Sequence, residues 1–155
     1  MKHKYVQSRF SEIDAAITKA KSSTASDIEL QAYLASYLVV LICGIFEDCV
    51  ECLVGERAAK AKDQEMEHFV RECVATYFRN PKYEYIARLM GLFSDSYKKS
   101  FDKKVDDKAR SAIGSIVAHR LSVSHGKTSS VTLGEVEKYY NSSRPIFDII
   151  EEILT

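Results

Sequence analysis

The chain has 155 residues, 46% of them hydrophobic, with 22 Lys+Arg balanced by 22 Asp+Glu. That length suits one domain with a core of its own, and only six Gly and two Pro argue against a turn-rich all-β fold. Zero net charge weakens any case for broad electrostatic capture of nucleic acid, leaves room for a local basic patch, and favours self-association.

The first ten residues, MKHKYVQSRF, are basic but lack the apolar run of a secretory signal. The first helix is expected from about Lys4 to Lys21, with Val6, Phe10, Ile13 and Ile17 as its apolar stripe. After a short polar break, Ser26-x-x-Glu29 reads as a capping box that opens a second helix running to about Val54. Its middle is apolar on nearly all sides, so it should be the central helix, and Gly44 would let a neighbour approach closely. The apolar run Tyr37 to Phe46 is too short to span a bilayer. The expected location is therefore cytoplasmic, with no membrane partner.

A third helix is expected from Asp63 to Phe78, with Met66, Phe69, Val70, Cys73, Val74, Tyr77 and Phe78 at the helical period. Arg79-Asn80-Pro81 stops it. A fourth helix follows from Lys82 to Phe93, with Ile86, Leu89 and Met90 inward, and Ser94 to Lys104 suggests a short helical turn. A fifth major helix begins at Asp106-Asp107, whose charge suits a helix N-terminus, and ends near His125. After a loop over 126–131, Thr132-x-x-Glu135 caps a final helix toward Leu154, which Pro145 should kink or divide. Short connections between amphipathic helices predict an all-α antiparallel bundle of about five main helices plus a short one.

The segment Arg120-Leu-Ser-Val-Ser-His125-Gly126 stands out. Ala109, Ile113, Ile116 and Arg120 are spaced i, i+4, i+3, i+4 and share one helix face. An arginine therefore occupies a core position, which is costly unless the charge is paired. His125 follows about 140° around an ideal helix at roughly 100° per residue. Gly126 can end the helix in the left-handed region, and an unwound last turn would bring His125 toward Arg120. Glu47, in the apolar second helix, is the natural ion partner for Arg120. Such a pair would either orient the guanidinium or simply join two helices.

The run "AHRLSVSHGKTSSVTLGEVEKYY", with its R-x4-H-G at a helix end, a polar loop and a "VTL" helix start, resembles the RiboL-PSP branch of the HEPN superfamily. The earlier "GIFEDCVECLV" is similar to that branch's second helix. The resemblance implies a single HEPN-like helical domain over 1–155. It also implies that two protomers pair so that both R-x4-H motifs line one cleft. By it, Arg120 and His125 of each chain would be catalytic and Glu47 supporting, in a metal-independent endoribonuclease, with a toxin or antiphage effector as the biological setting. The alternative it carries is a non-catalytic HEPN module for RNA binding or dimerisation. Leu121 stands where many catalytic members carry a polar residue, and Lys127 where many toxin-type members carry Tyr.

The residue types fit metal-free RNA cleavage. Histidine titrates near neutral pH and suits proton transfer at the 2′-hydroxyl and the leaving 5′-oxygen. Arginine stays charged and grips a phosphate with a two-pronged fork. Lys127 and His119 are candidate RNA contacts, although His119 points about 100° from Arg120 and also suits a surface position. No metal or cofactor is expected. The expected partners are tRNA or other cellular RNA, a second copy of the chain and an antitoxin or effector protein, without DNA. His3 and His68 read as surface residues. Cys43, Cys49, Cys52 and Cys73 sit in helical apolar patterns and read as core packing rather than a zinc or redox site. Lys98, Lys99, Lys103, Lys104, Lys108 and Arg110, interleaved with Tyr97 and Phe101, suit a stacking surface for RNA. The intervening Asp95, Asp102, Asp106 and Asp107 favour a mixed-charge solvated face.

Overall fold

The computed structural model describes residues 3–23, 27–126 and 130–155. These form eight helices and no strand: α1 (Lys4–Ser23), α2 (Ile28–Ala59), α3 (Gln64–Tyr77), α4 (Tyr83–Phe93), α5 (Asp95–Lys104), α6 (Asp107–Ser124), α7 (Leu133–Ser143) and α8 (Pro145–Leu154). The all-α antiparallel bundle is thus present. The expected turn after Ser94 is a full ten-residue helix, and Pro145 divides the last helix at Arg144. Proline fits there because the first position of a helix needs no intrahelical N–H bond.

Carboxylates and hydroxyls begin most of these helices. Asp27, Asp63 and Asp106 accept from the backbone N–H of Leu30, Met66 and Ala109. Each satisfies a donor that the first helical turn leaves orphaned. Asp27 is therefore the cap of α2, one residue after the Ser26 expected from the sequence; Ser26 itself lies outside the described residues. The Thr132/Glu135 capping box is present in both directions. α2 also runs beyond Val54 to Ala59.

α2 is the central helix, touching α1, α3, α6, α7 and α8. It buries a broad face from Ala35 to Ala58 and leaves a narrower stripe through Tyr37, Val40 and Gly44 uncovered or half-buried. Phe46 lies in an aromatic cluster with Phe10, Tyr140 and Phe147, at ring separations of 4.6 to 6.3 Å. The buried Tyr140 hydroxyl donates to the Phe10 carbonyl at 3.2 Å, so the polar tip of the cluster is satisfied. At Gly55 the neighbour is Arg71 of α3. A Cβ there would stand 2.1 Å from a guanidinium nitrogen, so glycine is what admits this side chain.

α3 departs from the expected pattern. Val74 and Phe78 are buried, Val70 and Cys73 are half-buried, and Met66, Phe69 and Tyr77 are exposed. The helical period is correct, but no neighbouring element within the described chain covers that part of the stripe. On α4, Ile86 and Met90 are fully buried and Leu89 is half-buried, as their spacing predicts.

Candidate functional site at the end of α6

Arg120 lies where α6 passes α2. Its buried predecessors Ala109, Ile113 and Ile116 fix the face, and Arg120 emerges at its edge with a quarter of its side chain exposed. The expected ion pair is there: Arg120 Nη1 stands 3.3 Å from Glu47 Oε1. The same nitrogen donates to the Asn80 side-chain carbonyl. The Glu47 oxygen in turn accepts the Asn80 backbone N–H at 2.8 Å. Three elements therefore meet in one small network: α2, α6 and the turn between α3 and α4. Both side-chain contacts of Arg120 with the described residues run through Nη1.

Asn80 escaped the sequence reading, which used Arg79-Asn80-Pro81 only as a helix stop. Its backbone is left-handed, with φ of 69°, a conformation that asparagine tolerates better than most residues. Asparagine directly before proline, beyond a helix end, was the available signal. Cys43, one turn before Glu47 on α2, is also beside this network. Burial pushes its thiol up to about 12, and the Arg120 charge opposes the shift. It is an inert core thiol at neutral pH.

His125 is the C-cap of α6 and is exposed. Its N–H bonds the Leu121 carbonyl at 3.1 Å, and Gly126, at φ of 68°, turns the chain away. The helix remains wound through Ser124, whose hydroxyl donates to the Arg120 carbonyl at 2.9 Å. The expected unwinding of the last turn is therefore absent. No hydrogen bond joins His125 to Arg120, and the His125 side chain bonds none of the described residues. The two groups share a helix end but not a face.

The remaining candidates divide. His119 lies against the Tyr139 ring of α7, at 6.2 Å between centroids, away from the Arg120 network. Lys127 lies outside the described residues. Leu121 is half-buried and packs on the core. His3 is not a plain surface residue: its Nε2 stands 2.7 Å from Glu56 and its Nδ1 accepts the Val6 N–H. With Cys52, His3 and Glu56 form a compact trio of ligand-type side chains, but Arg71 lies near Cys52 and disfavours a cation there.

The cysteines behave as core residues. Cys43 and Cys49 are buried, Cys52 and Cys73 half-buried, and all four are free. On the basic segment, Phe101 is fully buried and stacks on Tyr83, so it is unavailable to a base. Lys98 pairs with Asp102 at 3.0 Å and Lys104 with Glu152. Arg110 covers the Tyr83 ring at 4.0 Å. The mixed-charge reading of this face holds, and the stacking surface does not form.

The fold and this helix end define an all-helical domain with an Arg/His pair at the close of its sixth helix. The RiboL-PSP-HEPN family model matches residues 4–155, and the chain belongs to that family. No curated protein and no solved structure matches it significantly. Among the described residues, no helix is long and apolar enough to cross a membrane.

Proposed function

We propose that the chain is a homodimeric, metal-independent endoribonuclease in which Arg120 and His125 from two protomers line one cleft. The observation that carries this reading is the half-made site in one chain. Among the described residues Arg120 is held through Nη1 by Glu47 and Asn80, and the exposed His125 at the same helix end does not bond it. A second copy supplies the missing juxtaposition.

The surface beside Arg120 supports such a seam. Tyr33, Tyr37 and Val40 are exposed on α2 at i, i+4 and i+7, and the stripe continues through Gly44 to Glu47. A side chain at Gly44 would meet nothing within 4 Å, so the backbone there is open to a close neighbour. An apolar stripe leading to a paired charge is what a covered seam requires.

In the cleft, one imidazole takes the proton of the RNA 2′-hydroxyl. The 2′-oxygen attacks phosphorus, the bond to the 5′-oxygen breaks, and a second, protonated imidazole supplies that oxygen's proton. Arg120 steadies charge on the non-bridging phosphate oxygens. The products are a 2′,3′-cyclic phosphate and a 5′-hydroxyl. Glu47 and Asn80 act by holding Arg120. The substrate is a tRNA or other cellular RNA, in the setting of a toxin or defence effector controlled by an antitoxin or other protein.

Incubating the protein with a mixed RNA pool in EDTA, beside an Arg120→Ala/His125→Ala double variant, tests this. Cleavage by wild type alone, leaving 5′-hydroxyl ends, is the expected result. Absence of cleavage by a wild-type dimer that still binds RNA favours the second reading, a non-catalytic HEPN module. Leu121 supports that alternative, because it packs on the core at the position where many catalytic members carry a polar residue.

A further inference from the structure

The stripe that α3 leaves uncovered borders a groove against α4, with a volume of about 600 Å³. This is within the range of small-ligand pockets, roughly 300–1,000 Å³. Tyr77 and Tyr85 flank it, Leu89 and Leu92 contribute apolar wall, and Arg79 and Arg88 contribute charge. No carboxylate lines it. The exposure is large: 81% for Tyr77 and 76% for Leu92.

We propose that this groove is a subsite for single-stranded RNA, taking an unstacked base against Tyr77 or Tyr85 and the adjoining phosphate on Arg88. The proposal rests on the RNA reading of the Arg120 site and extends it to a second location on the same strand. Three observations carry it. The first is chemical: exposed aromatic rings beside arginines are the combination that binds single strands, stacking on the base and neutralising the backbone. Among the described residues, neither tyrosine has a ring or hydrogen-bond partner, and Arg88 has no ion partner. The Arg79 charge reaches Glu51 of α2, whose carboxyl it pulls downward against the larger, opposite effect of burial.

The second observation is continuity. Asn80 lines the groove and also accepts the bond from Arg120. A strand whose phosphate rests on Arg120 therefore meets the mouth of the groove at its next contact. The third is charge selection. A second copy docking here through the same face would bring Arg79 and Arg88 toward their own counterparts with no lining acid to offset them. A polyanion carries the complementary charge.

The test uses a short fluorescein-labelled RNA pool with 2′-O-methyl at every position, which prevents cleavage. Its affinity is measured for wild type, Arg88→Ala, Tyr85→Ala, Arg120→Ala and, as a control on α5, Lys99→Ala. Arg88 and Tyr85 are exposed, so their variants should keep the wild-type helix signal and melting profile. Each groove variant is expected to weaken binding about tenfold, in line with the loss of one stacked base or one phosphate contact. Arg88→Ala should also reduce the slope of log affinity against log salt by about 0.7. Lys99→Ala should do neither. If wild type binds, Arg120→Ala weakens binding and both groove variants match wild type, the groove is not a subsite and the RNA reading survives. If wild type binds no RNA, both fall. Groove variants that dissociate a dimer while keeping RNA affinity would assign the groove to a second copy and overturn the proposal.

Discussion

The face shared by α2 and α6 and the face shared by α3 and α4 are built from similar residues and end differently. On the first, the apolar period of α6 is buried to Ile116 and its one misplaced charge, Arg120, is anchored by Glu47 and Asn80. On the second, the period of α3 is equally regular, yet Phe69 is 60% and Tyr77 81% exposed. Regular spacing shows that a helix has an apolar side. Whether the chain itself covers that side depends on which elements the connections bring alongside. Here α2 occupies the centre with α3 packed on it, while α4 packs mainly on α5.

The largest expected effect is on stability and separates the faces directly. Phe46 is fully buried against three other aromatic rings. Phe46→Ala should cost about 3–5 kcal/mol, as loss of a large core side chain leaves a cavity. Phe69→Ala should stay within about 0.5 kcal/mol, because little surface is returned to water. Urea unfolding of the two variants measures both. A cost above about 2 kcal/mol for Phe69→Ala, at unchanged denaturant slope, would mean that α3 is covered in solution, for example by a second copy.

The same contrast explains what was legible in the sequence. Helix positions, the Thr132 cap and the break at Pro145 depend on local chemistry, and local residues report them. The Arg120–Glu47 pair was legible because each is a charge on an otherwise apolar face, and such charges need each other. Asn80 was not, since its role depends on where the α3–α4 turn lands against α6. The wound end at Ser124 was also illegible. Gly126 marks where a helix stops without showing how far the turn before it stays intact. Phe101 misled for a related reason: interleaving with lysines said nothing about the core beneath it.

The next effect is on cleavage and depends on the proposed activity. Arg120→Lys keeps the charge and loses the planar fork, so only part of the phosphate grip remains. Turnover should fall about 100-fold, the order found when one oxyanion donor is removed, while Arg88→Lys in the α3–α4 groove should change it less than about threefold, since a point charge still meets a phosphate. Single-turnover rates on one defined RNA compare the two. Equal losses would remove the distinction between a catalytic face and a binding face.

Glu47 should rank below both. Glu47→Ala leaves Arg120 without its carboxylate and the Asn80 N–H without its acceptor. With only 13% of the Glu47 side chain exposed, a cost of about 1–3 kcal/mol is expected. Glu47→Gln keeps an oxygen for the Asn80 N–H and should recover part of the stability. If Glu47 orients Arg120, cleavage by Glu47→Gln should remain low, about tenfold below wild type, because the neutral amide no longer holds the guanidinium as firmly. Recovery of both stability and cleavage would reduce Glu47 to a helix-joining contact.

The smallest effect concerns Asn80, where the two faces meet. Its φ of 69° penalises most side chains, and its amide oxygen holds Arg120. Two substitutions separate these functions. Asn80→Gly accepts the backbone conformation and removes only the side-chain bond. Asn80→Ala removes the bond and adds left-handed strain of about 1 kcal/mol. Their stabilities should therefore differ by about 1 kcal/mol, with glycine the more stable. Their cleavage rates should be equally reduced, because both release Arg120. A glycine variant that cleaves like wild type would show that Glu47 alone positions the arginine. An alanine variant as stable as glycine would show that the α3–α4 turn relaxes, and that the α3–α4 face is less firmly tied to α6 than the shared network implies.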